Sequence, residues 1–421
     1  MISDEAYLWL YLPGETSPVV CGVVAFDGVE HLFRYAASYL NREAAIPLAP
    51  PNCLLGELTD APIPLDFELN SVIRDASPDA WGRNVMIREY ANAPGHKESD
   101  LGEIDYLLRA GPDRIGALDA TSDPRQYIPK ASQAPPLEDL LEAADRIDQG
   151  LPLEPHLDVA LNHGTSVGGA RPKALLQDDG EYWIAKFGSS KDATDMVGIE
   201  AGGMQLAEKA GINVADTRVV GVLNKRVILV RRFDRVVAPG GTRRRIMLSA
   251  MTLLGLDEYA IRAGYSSYLD LADILRQYAL DFQRDGTELF RRMVFNILIG
   301  NIDDHARNHA CFWNGYTLEL TPAYDVCPQP RSGISADQAM TVGLWGRKAN
   351  LQNAISDCAR FGLGEQEALD LVRVMHDVVR NHWLSVFTEV GVPRADLNYL
   401  SQATILGESI FYKLVSDDIK V

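Results

Sequence analysis

A polar cluster that follows directly on an apolar helix is the feature that most constrains how this chain folds. Residues 290–299 have the apolar spacing of a buried helix, which Gly300 would end. The polar residues that follow are Asn301, Asp303, Asp304, His305 and Asn308. A loop in this position is fixed at its base by the helix and open at its tip. The sequence therefore predicts a firmly held, accessible polar loop.

The spacing within this loop indicates a chemistry. Asp303 and Asn308 lie five residues apart, as do the aspartate and the asparagine of the protein-kinase catalytic loop. In that chemistry the aspartate takes the proton of the substrate hydroxyl, while the asparagine and a later aspartate hold magnesium. Asp325, seventeen residues after Asn308, is the candidate for the later aspartate.

A short hairpin is predicted between the loop and Asp325. Residues 310–312 and 317–320 have the pattern of two strands, and Asn314-Gly315 between them is a strong turn signal. This hairpin would return Asp325 to the side of the loop. The alternative is that Asp303 and its neighbour only cap a helix or solvate a turn, so the catalytic interpretation needs phosphate-binding parts elsewhere in the chain.

A glycine-bearing segment upstream has the composition of a phosphate-binding loop. Residues 164–173 read Gly-Thr-Ser-Val-Gly-Gly-Ala-Arg-Pro-Lys, and predicted strands follow at 174–176 and 182–187. Glycines let backbone amides approach phosphate oxygens closely, and Lys186 on the second strand supplies a positive charge. Each feature alone also fits an ordinary turn or a surface lysine, so the order of the parts carries the argument.

Two further parts follow in the order that a kinase would have. Glu200 is predicted to open a helix and could pair with Lys186, although a glutamate in the first turn also has a capping explanation. A hairpin is then predicted from strands 219–222 and 227–230, around Asn224-Lys225. It leads into Arg231-Arg232-Phe233-Asp234-Arg235, where a kinase has the hinge between its lobes.

Taken together, these motifs resemble the HipA-type serine/threonine kinases, the toxins of bacterial HipBA toxin–antitoxin modules. The motifs are Ser166-Val167-Gly168-Gly169-Ala170-x-x-Lys173, Arg232-Phe233-Asp234-Arg235, Asp303-x-His305-x-x-Asn308 and Tyr324-Asp325. The loop motif is also similar to that of the phosphatidylinositol 3/4-kinase-like superfamily. The resemblance covers roughly residues 70–345 and implies an α+β, bilobal protein-kinase-like fold.

The resemblance also implies a division of the chain. A small β-rich N-terminal subdomain is expected over residues 1–120 and a proline-rich linker over 121–136. The kinase N-lobe, with the phosphate loop, the lysine strand and the hinge, is expected over 137–236. An all-helical C-lobe with the catalytic loop would occupy 237–421. The helices predicted there from periodicity span 268–282, 288–299, 366–387 and 396–414.

Roles for individual residues follow from the resemblance. Asp303 would be the catalytic base, Asn308 and Asp325 would hold Mg²⁺, and Lys186 would contact the phosphates of ATP. His305 would lie in the same nucleotide site, with a purely structural role as the alternative. The main chain of Arg231, Arg232 and Phe233 would meet the adenine. The residues whose backbone would wrap the phosphates are Val167, Gly168, Gly169, Ala170, Arg171, Pro172 and Lys173.

Ser166 matches the serine that members of this family autophosphorylate. A phosphate there would occupy the place of the ATP phosphates, so repulsion between like charges would silence the kinase. The alternative is a small loop residue that caps a neighbouring amide. Two departures from the family stand out: Pro172 removes a backbone donor from the loop, and Arg231 replaces a hinge glutamate.

Composition and charge restrict the partners that the chain is expected to bind and the cellular compartment that it suits. The net charge of −18, from 40 basic and 58 acidic residues, argues against binding to nucleic acid by this chain alone. The resemblance implies a HipB-like helix-turn-helix antitoxin that carries the DNA contact. No apolar run approaches the roughly 18–20 residues that span a bilayer, and no basic signal region opens the chain. Five scattered cysteines predict neither a disulfide framework nor a zinc site, which suits a cytoplasmic protein.

The function expected from the resemblance is a serine/threonine protein kinase toxin that uses ATP and Mg²⁺. Its expected target is an aminoacyl-tRNA synthetase, whose phosphorylation would inhibit translation and cause growth arrest and persistence. A small-molecule or lipid kinase is an alternative, because the phosphoryl chemistry does not identify the acceptor. A pseudokinase scaffold is another, although it would be expected to lose Asp303, Asn308, Asp325 or Lys186. A DNA-binding repressor acting alone is disfavoured by the acidic charge.

Overall fold

A computed structural model describes residues 4–65, 69–91, 101–129, 136–149, 151, 157, 173–178, 180–189, 192–329 and 336–412. The predicted phosphate loop up to Pro172, with Ser166, lies outside the described residues, and so do residues 330–335 of the segment after Asp325. The chain forms two compact units. Unit 1 comprises residues 1–191, 220–248 and 312–316, and unit 2 comprises 192–219, 249–311 and 317–421.

Unit 1 begins with a five-stranded antiparallel sheet of order β4-β3-β2-β1-β5. Its strands are Glu5–Leu10 (β1), Val19–Phe26 (β2), His31–Tyr35 (β3), Ile63–Leu65 (β4) and Leu118–Thr121 (β5). Gly22 of β2 lies against the ring of Phe33, and a Cβ there would come within 2.5 Å of the ring atom Cε2. Only glycine fits this contact between strands.

The described residues of unit 1 also form helices. They are Ala37–Leu40 (α1), Val72–Asp75 (α2), Ala80–Ala91 (α3), Glu103–Arg109 (α4) and Leu137–Asp148 (α5). Asp79 caps α3, because its Oδ1 accepts a hydrogen bond of 2.8 Å from the amide of Gly82. Arg83, on the same helix, forms an ion pair of 2.5 Å with Glu103 of α4.

A second sheet in unit 1 contains the predicted lysine strand. Its order is β6-β7-β9-β8, formed by Lys173–Asp178 (β6), Glu181–Phe187 (β7), Thr217–Val222 (β8) and Lys225–Arg231 (β9). The turn between β8 and β9 consists of Leu223 and Asn224, which both have positive φ, 49° and 64°. This is the geometry of a type I′ hairpin. The predicted hairpin is therefore present, with its turn one residue earlier than expected.

One face of this sheet packs on helices α3 and α5. The buried core joins Trp183, Ala185 and Phe187 of β7 with Leu140 and Trp81. The alternation along β7 places every second residue in this core, as expected for a strand with one buried face. Trp81 is only 5% exposed, so it has a packing role in this core.

Unit 2 is mainly helical. Its helices are Met196–Lys209 (α6), Ala250–Leu253 (α7), Glu258–Arg262 (α8), Tyr268–Tyr278 (α9), Phe282–Ile299 (α10), Leu351–Ile355 (α11), Glu365–Glu389 (α12) and Arg394–Ala403 (α13). In the part of the chain that the structure describes, none of the helices is long and apolar enough to cross a bilayer.

Several helix boundaries differ from those that periodicity predicted. Helix α6 begins at Met196, with Asp195 as its N-cap, so Glu200 lies in the second turn and is buried. Helix α10 starts six residues before the predicted 288, because Asp281 caps it there. The helix predicted over 396–414 is shorter, since α13 ends at Ala403. At the starts of α6 and α10 a capping aspartate, rather than the apolar pattern, sets the boundary.

The remaining strands form a hairpin and a three-stranded sheet. Arg235–Ala238 (β10) pairs with Gly241–Arg244 (β11), and the three-stranded sheet has the order β12-β13-β14. Its strands are Ile246–Ser249 (β12), Ala310–Trp313 (β13) and Leu318–Leu320 (β14). The last two are the hairpin predicted around Asn314-Gly315, and it is present.

A buried network of ionic side chains in unit 1 involves the Arg-Phe-Asp-Arg motif. The two guanidinium groups of Arg232 and Arg235 lie 2.7 and 2.9 Å from Oδ2 of Asp234. Both arginines also donate to the carbonyl of Arg114, and the amide of Gly116 donates to Asp234 over 2.8 Å. The motif thus joins the end of β9 to residues 113–116, which precede β5. We call this network the hinge network.

Charge balance keeps Asp234 ionised inside this network. Burial alone would raise the pKa of its carboxyl, but the positive charges of Arg232 and Arg235 outweigh it and hold the pKa well below its usual range. A carboxyl with a lowered pKa in the folded state stabilises the fold at pH values above its unfolded pKa, about 3.9. This contribution is lost only as the pH falls below that value.

The substitution Asp234→Asn should therefore destabilise unit 1 strongly. It leaves two buried guanidinium groups without their counter-charge, and we expect a loss of about 3–5 kcal/mol. Thermal denaturation followed by circular dichroism measures it, with Asp123→Asn as the control because Asp123 pairs with Arg125 in solvent. The difference from wild type should be constant above about pH 5 and shrink below about pH 4. An Asp234→Asn protein as stable as the control would contradict this account.

Candidate active site

The polar loop is held at its base by the C-terminus of α10. Gly300 ends the helix in the left-handed conformation, with φ 70°, and its amide donates back to the helix. A Cβ at this position would lie 2.6 Å from the carbonyl oxygen of Thr404, so both the conformation and the close contact require glycine. Asn301 then bonds twice to Asn296, through its amide over 2.9 Å and its side chain over 3.0 Å.

Asp304 is the buried anchor of the loop. Its side chain is nearly inaccessible, at 3% exposure, and its Oδ2 accepts three hydrogen bonds. The donors are Asn296 Nδ2 at 2.7 Å, His309 Nε2 at 2.9 Å and the hydroxyl of Tyr268. These residues come from α10, from the end of the loop and from the start of α9. A buried carboxylate needs such partners to offset its lost hydration.

The phenol hydroxyl of Tyr268 stays protonated and donates a hydrogen bond in this cluster. Burial and the negative charge of Asp304 raise its pKa well above the usual value of about 10. Tyr268 therefore keeps its proton throughout the physiological range and directs it at the carboxylate. We call the cluster of Tyr268, Asn296, Asp304 and His309 the loop anchor. Its three donors come from three segments of the chain and hold the Asp304 side chain of the loop in place.

Asp303 has the opposite environment to its neighbour. It is exposed, whereas Asp304 is buried, so the two carboxylates of the pair point in different directions. The carboxamide of Asn308 turns back toward the same stretch, since its Nδ2 donates to the Asp303 carbonyl over 3.3 Å. Because Nδ2 makes this bond, Oδ1 of Asn308 is the atom through which this side chain would bind a metal. The loop thus presents one accessible carboxylate and one amide oxygen.

Tyr324 brings Asp325 to the loop. Its hydroxyl donates to the Arg307 carbonyl over 2.8 Å, so the residues next to Asp325 and next to Asn308 are joined directly. Asp325 itself has φ 60°, a left-handed conformation that is unusual for a residue other than glycine. Such strained residues concentrate at functional sites, where the surrounding structure holds them.

These oxygen donors suit magnesium. Mg²⁺ is bound in phosphoryl-transfer sites through one or two protein oxygens, while phosphates and waters supply the rest. Asn308 and Asp325 provide such a sparse set, and no cluster of three or more His, Cys, Asp or Glu side chains suited to a metal occurs in the described residues. The donor set therefore fits an ion shared with a nucleotide rather than one held by protein ligands alone.

Behind the loop lies a small cavity of about 10 Å³. Its lining includes Arg292, Asn308, His309 and Tyr324. Arg292 is bonded to Glu288 over 2.9 Å and to the Thr321 carbonyl over 2.7 Å, so it also supports the segment that leads to Asp325. The cavity has room for about one water molecule. It is too small for a nucleotide.

The nucleotide-binding residues predicted upstream lie in unit 1. Lys186 is on β7 and partly exposed, as predicted for a strand-borne lysine. Arg231 ends β9, and its exposed side chain pairs with Glu181 over 2.9 Å. The amide of Arg232 donates to the Tyr182 carbonyl over 2.8 Å, so it belongs to the sheet. A contact of this stretch with adenine therefore stays a prediction that rests on the other main-chain groups of Arg231, Arg232 and Phe233.

Other predicted site residues have surroundings that their sequence pattern did not indicate. Lys173, at the end of the predicted phosphate loop, has a buried side chain that pairs with Asp79 over 2.7 Å. Glu200 is buried within α6, and its pairing with Lys186 stays a prediction. His305 is partly buried, and its Nδ1 has no hydrogen-bond partner among the described residues.

The loop anchor was missed in the sequence. Tyr268, Asn296 and His309 have no functional spacing relative to Asp304, because they meet it through tertiary packing. One signal was available: Asp304 lies between a buried helix and a strand of four buried residues. An acid in such a setting tends to be buried and bonded.

An exposed aspartate and an asparagine five residues later lie in a loop that one hydrogen bond joins to the residue before a second aspartate, which is the arrangement expected of a kinase site. The chain belongs to the HipA family, because the model of the HipA-like C-terminal domain matches residues 165–383, half of the chain. That match contains the lysine strand, the hinge network motif and the loop.

Two relatives extend the likeness. The protein Y4mE of Sinorhizobium fredii, which bears the name of a kinase, is 26% identical over 264 residues. The match covers 58% of this chain and 62% of that relative, so the chain spans less than two thirds of it. The serine/threonine-protein kinase toxin HipA of Shewanella oneidensis is 24% identical over 337 residues, which cover 73% of this chain and 72% of the toxin.

A solved structure shows the same fold. The chain is similar to a protein of the Shewanella oneidensis complex of HipA, HipB and operator DNA, with a TM-score of 0.67 and 18% identity. The match covers 94% of each chain. The expectation of an α+β, bilobal kinase-like fold of the HipA type is confirmed. The finer division at residues 120, 136 and 236 stays a prediction.

Removing one donor of the loop anchor tests its contribution. We expect Tyr268→Phe to destabilise the protein by about 1.5–3 kcal/mol, the usual range for a hydrogen bond to a charged group. Tyr265→Phe is the matched control, because Tyr265 lies three residues earlier and is 70% exposed. Thermal denaturation of both variants measures the difference in their stability. Equal midpoints for the two variants would show that the Tyr268 hydroxyl does not anchor the loop.

Proposed function

We propose that this chain is an ATP- and Mg²⁺-dependent serine/threonine protein kinase of the HipA toxin type. The observation that carries the proposal is the site in unit 2, where Tyr324 joins Asp325 to the loop of Asp303 and Asn308. Family membership and the names of both relatives support it. The acceptor would be a serine or threonine hydroxyl of another protein.

Each residue of the site has a task in this reaction. Asp303, exposed at the tip of the loop, accepts the proton of the acceptor hydroxyl as that oxygen attacks the γ-phosphate. Asn308 and Asp325 hold Mg²⁺ through their side-chain oxygens, and the bound ion would offset the negative charge of the phosphates. Lys186 contacts the phosphates as a point charge. Asp304 takes no part in proton transfer, because the loop anchor occupies its carboxylate.

The remaining nucleotide contacts in this proposal come from residues 167–173 and from the hinge stretch. The backbone of Val167 to Lys173 would surround the phosphates, and the main chain of Arg231 to Phe233 would meet adenine. His305 would lie beside the nucleotide. Support for these roles comes from their order along the chain and from the family match, which begins at residue 165.

The partners in this proposal follow from the family and from charge. A HipB-like helix-turn-helix antitoxin would bind the chain and carry the contact with DNA, since the net charge of −18 disfavours direct binding. The related solved structure is a complex of HipA, HipB and operator DNA. The expected target is an aminoacyl-tRNA synthetase, whose modification would arrest growth. The free thiols of all five cysteines suit a cytoplasmic setting.

Loss of the base should abolish the activity. We expect Asp303→Asn to end ATP-dependent phosphorylation and growth arrest, because no carboxylate remains to take the proton. The control is Asp370→Asn, which alters an exposed carboxylate on α12. Phosphoproteomics of cells expressing wild type, Asp303→Asn and the control names the acceptor. Full toxicity of Asp303→Asn would refute the catalytic role, and phosphorylated lipids or metabolites without phosphoproteins would indicate a different kinase class.

Autophosphorylation is a separate prediction. Incubation of the purified protein with ATP and Mg²⁺ should place a phosphate on Ser166, and the modified fraction should be inactive because the dianion repels ATP. Intact-mass and peptide mass spectrometry measure the modification, with Asp303→Asn as the unmodified reference. Active enzyme that carries phosphate at Ser166 in full would remove the regulatory role of that residue.

A further inference from the structure

Two residues that line the small cavity behind the loop each carry a buried nitrogen atom that needs a partner. They are Arg292 and His309, whose side chains are 3% and 2% exposed. Neither Nη1 of Arg292 nor Nδ1 of His309 has a hydrogen-bond partner among the described residues. Buried polar atoms are nearly always bonded, either to protein or to an internal water molecule. The two atoms therefore point to a group bound in the cavity.

The other nitrogen atoms of these two side chains hold them in place. Arg292 donates through Nε to Glu288 over 2.9 Å and through Nη2 to the Thr321 carbonyl over 2.7 Å. His309 bonds Asp304 through Nε2 over 2.9 Å. Neither side chain can turn its remaining nitrogen toward another protein group without giving up one of these bonds.

The size of the cavity limits what can bind there. Its volume of about 10 Å³ is close to the space that one water molecule needs. Part of the wall is apolar and offers no hydrogen bonds, formed by Ile212, Phe295, Ala323 and Val326. An internal water is stable in such a place when it finds two or more polar partners, and the two nitrogen atoms supply this number.

The charges around the cavity favour a neutral occupant. The guanidinium group of Arg292 repels a cation, and the carboxylate of Asp304, which lines the same cavity, repels an anion. Water is neutral, and it both donates and accepts hydrogen bonds. It can accept from Nη1 of Arg292. It also suits Nδ1 of His309 in either protonation state of the ring, because this atom accepts a hydrogen bond in one state and donates in the other.

We propose that this cavity is a binding site for one structural water molecule, which bridges Nη1 of Arg292 and Nδ1 of His309. With the water bound, hydrogen bonds run from the Thr321 carbonyl through Arg292 and His309 to Asp304 of the loop anchor. The water thus connects the segment that leads to Asp325 with the loop anchor. The site depends on the fold of unit 2 and not on the proposed catalytic activity.

A crystal structure of the full chain tests the site directly. We expect a single peak of electron density at hydrogen-bond distance, about 2.7–3.2 Å, from both Nη1 of Arg292 and Nδ1 of His309. A second crystal soaked in bromide distinguishes water from an anion, since bromide gives an anomalous signal. The absence of a peak in the wild-type map, or an anomalous peak at this position, would overturn the proposal.

Two variants supply a matched comparison in solution. His309→Leu and Tyr268→Phe each remove one donor to Oδ2 of Asp304, but only His309→Leu also removes a partner of the water. Magnetic relaxation dispersion of the water nuclei counts the molecules held inside the protein. We expect this count to fall by one in His309→Leu and to keep its wild-type value in Tyr268→Phe.

The comparison also has outcomes that contradict the bridge. An unchanged count in His309→Leu, or the same loss in both variants, would show that Nδ1 of His309 does not hold a water. If His309→Leu does not fold, the wild-type crystal structure still decides, because it needs no variant.

Discussion

One carboxylate oxygen, Oδ2 of Asp304, is the point on which the candidate active site depends. It accepts hydrogen bonds from Tyr268, Asn296 and His309, which belong to three different segments of unit 2. A buried charge is tolerated only where such donors replace water, so any movement of one segment leaves the carboxylate under-solvated. The need to keep these three hydrogen bonds holds the loop in one conformation. It also explains how two adjacent aspartates differ: Asp304 is buried and hydrogen-bonded, and Asp303 is left exposed to solvent, where the proposed function needs a base.

Unit 1 uses buried charge in the same way. The hinge network joins the end of β9 to residues 113–116, and the pair of Asp79 and Lys173 joins α3 to the start of β6. Both attachments end on elements that the proposed function assigns to the nucleotide. Residues from the N-terminal part of the chain therefore support these elements through buried ion pairs and hydrogen bonds. Removing one partner from such a network is costly, because the others stay buried without compensation.

Local patterns in the sequence predicted much of this fold, whereas they could not predict contacts between residues that are far apart in the sequence. The hairpin at Asn314-Gly315 and the helix that ends at Gly300 follow from turn chemistry and periodicity, which act over a few residues. Asp79 and Lys173 are 94 residues apart, and Gly116 and Asp234 are 118 apart. No spacing rule links such positions. Glu200 shows the same limit, since its place in the second turn of α6 depends on Asp195 acting as the cap.

A single hydrogen bond links the two segments that carry the candidate metal ligands Asn308 and Asp325. Asn308 and Asp325 are each next in sequence to a partner in one hydrogen bond, that from the Tyr324 hydroxyl to the Arg307 carbonyl. This bond joins the side chain of the residue before Asp325 to the main chain of the residue before Asn308. The left-handed φ of Asp325 costs of order 1–3 kcal/mol and persists only where neighbouring contacts enforce it. Tyr324 supplies such a contact on one side and the buried Val326 on the other. The strained residue Asp325 therefore lies between two residues that are each fixed, Tyr324 by its hydrogen bond and Val326 by burial.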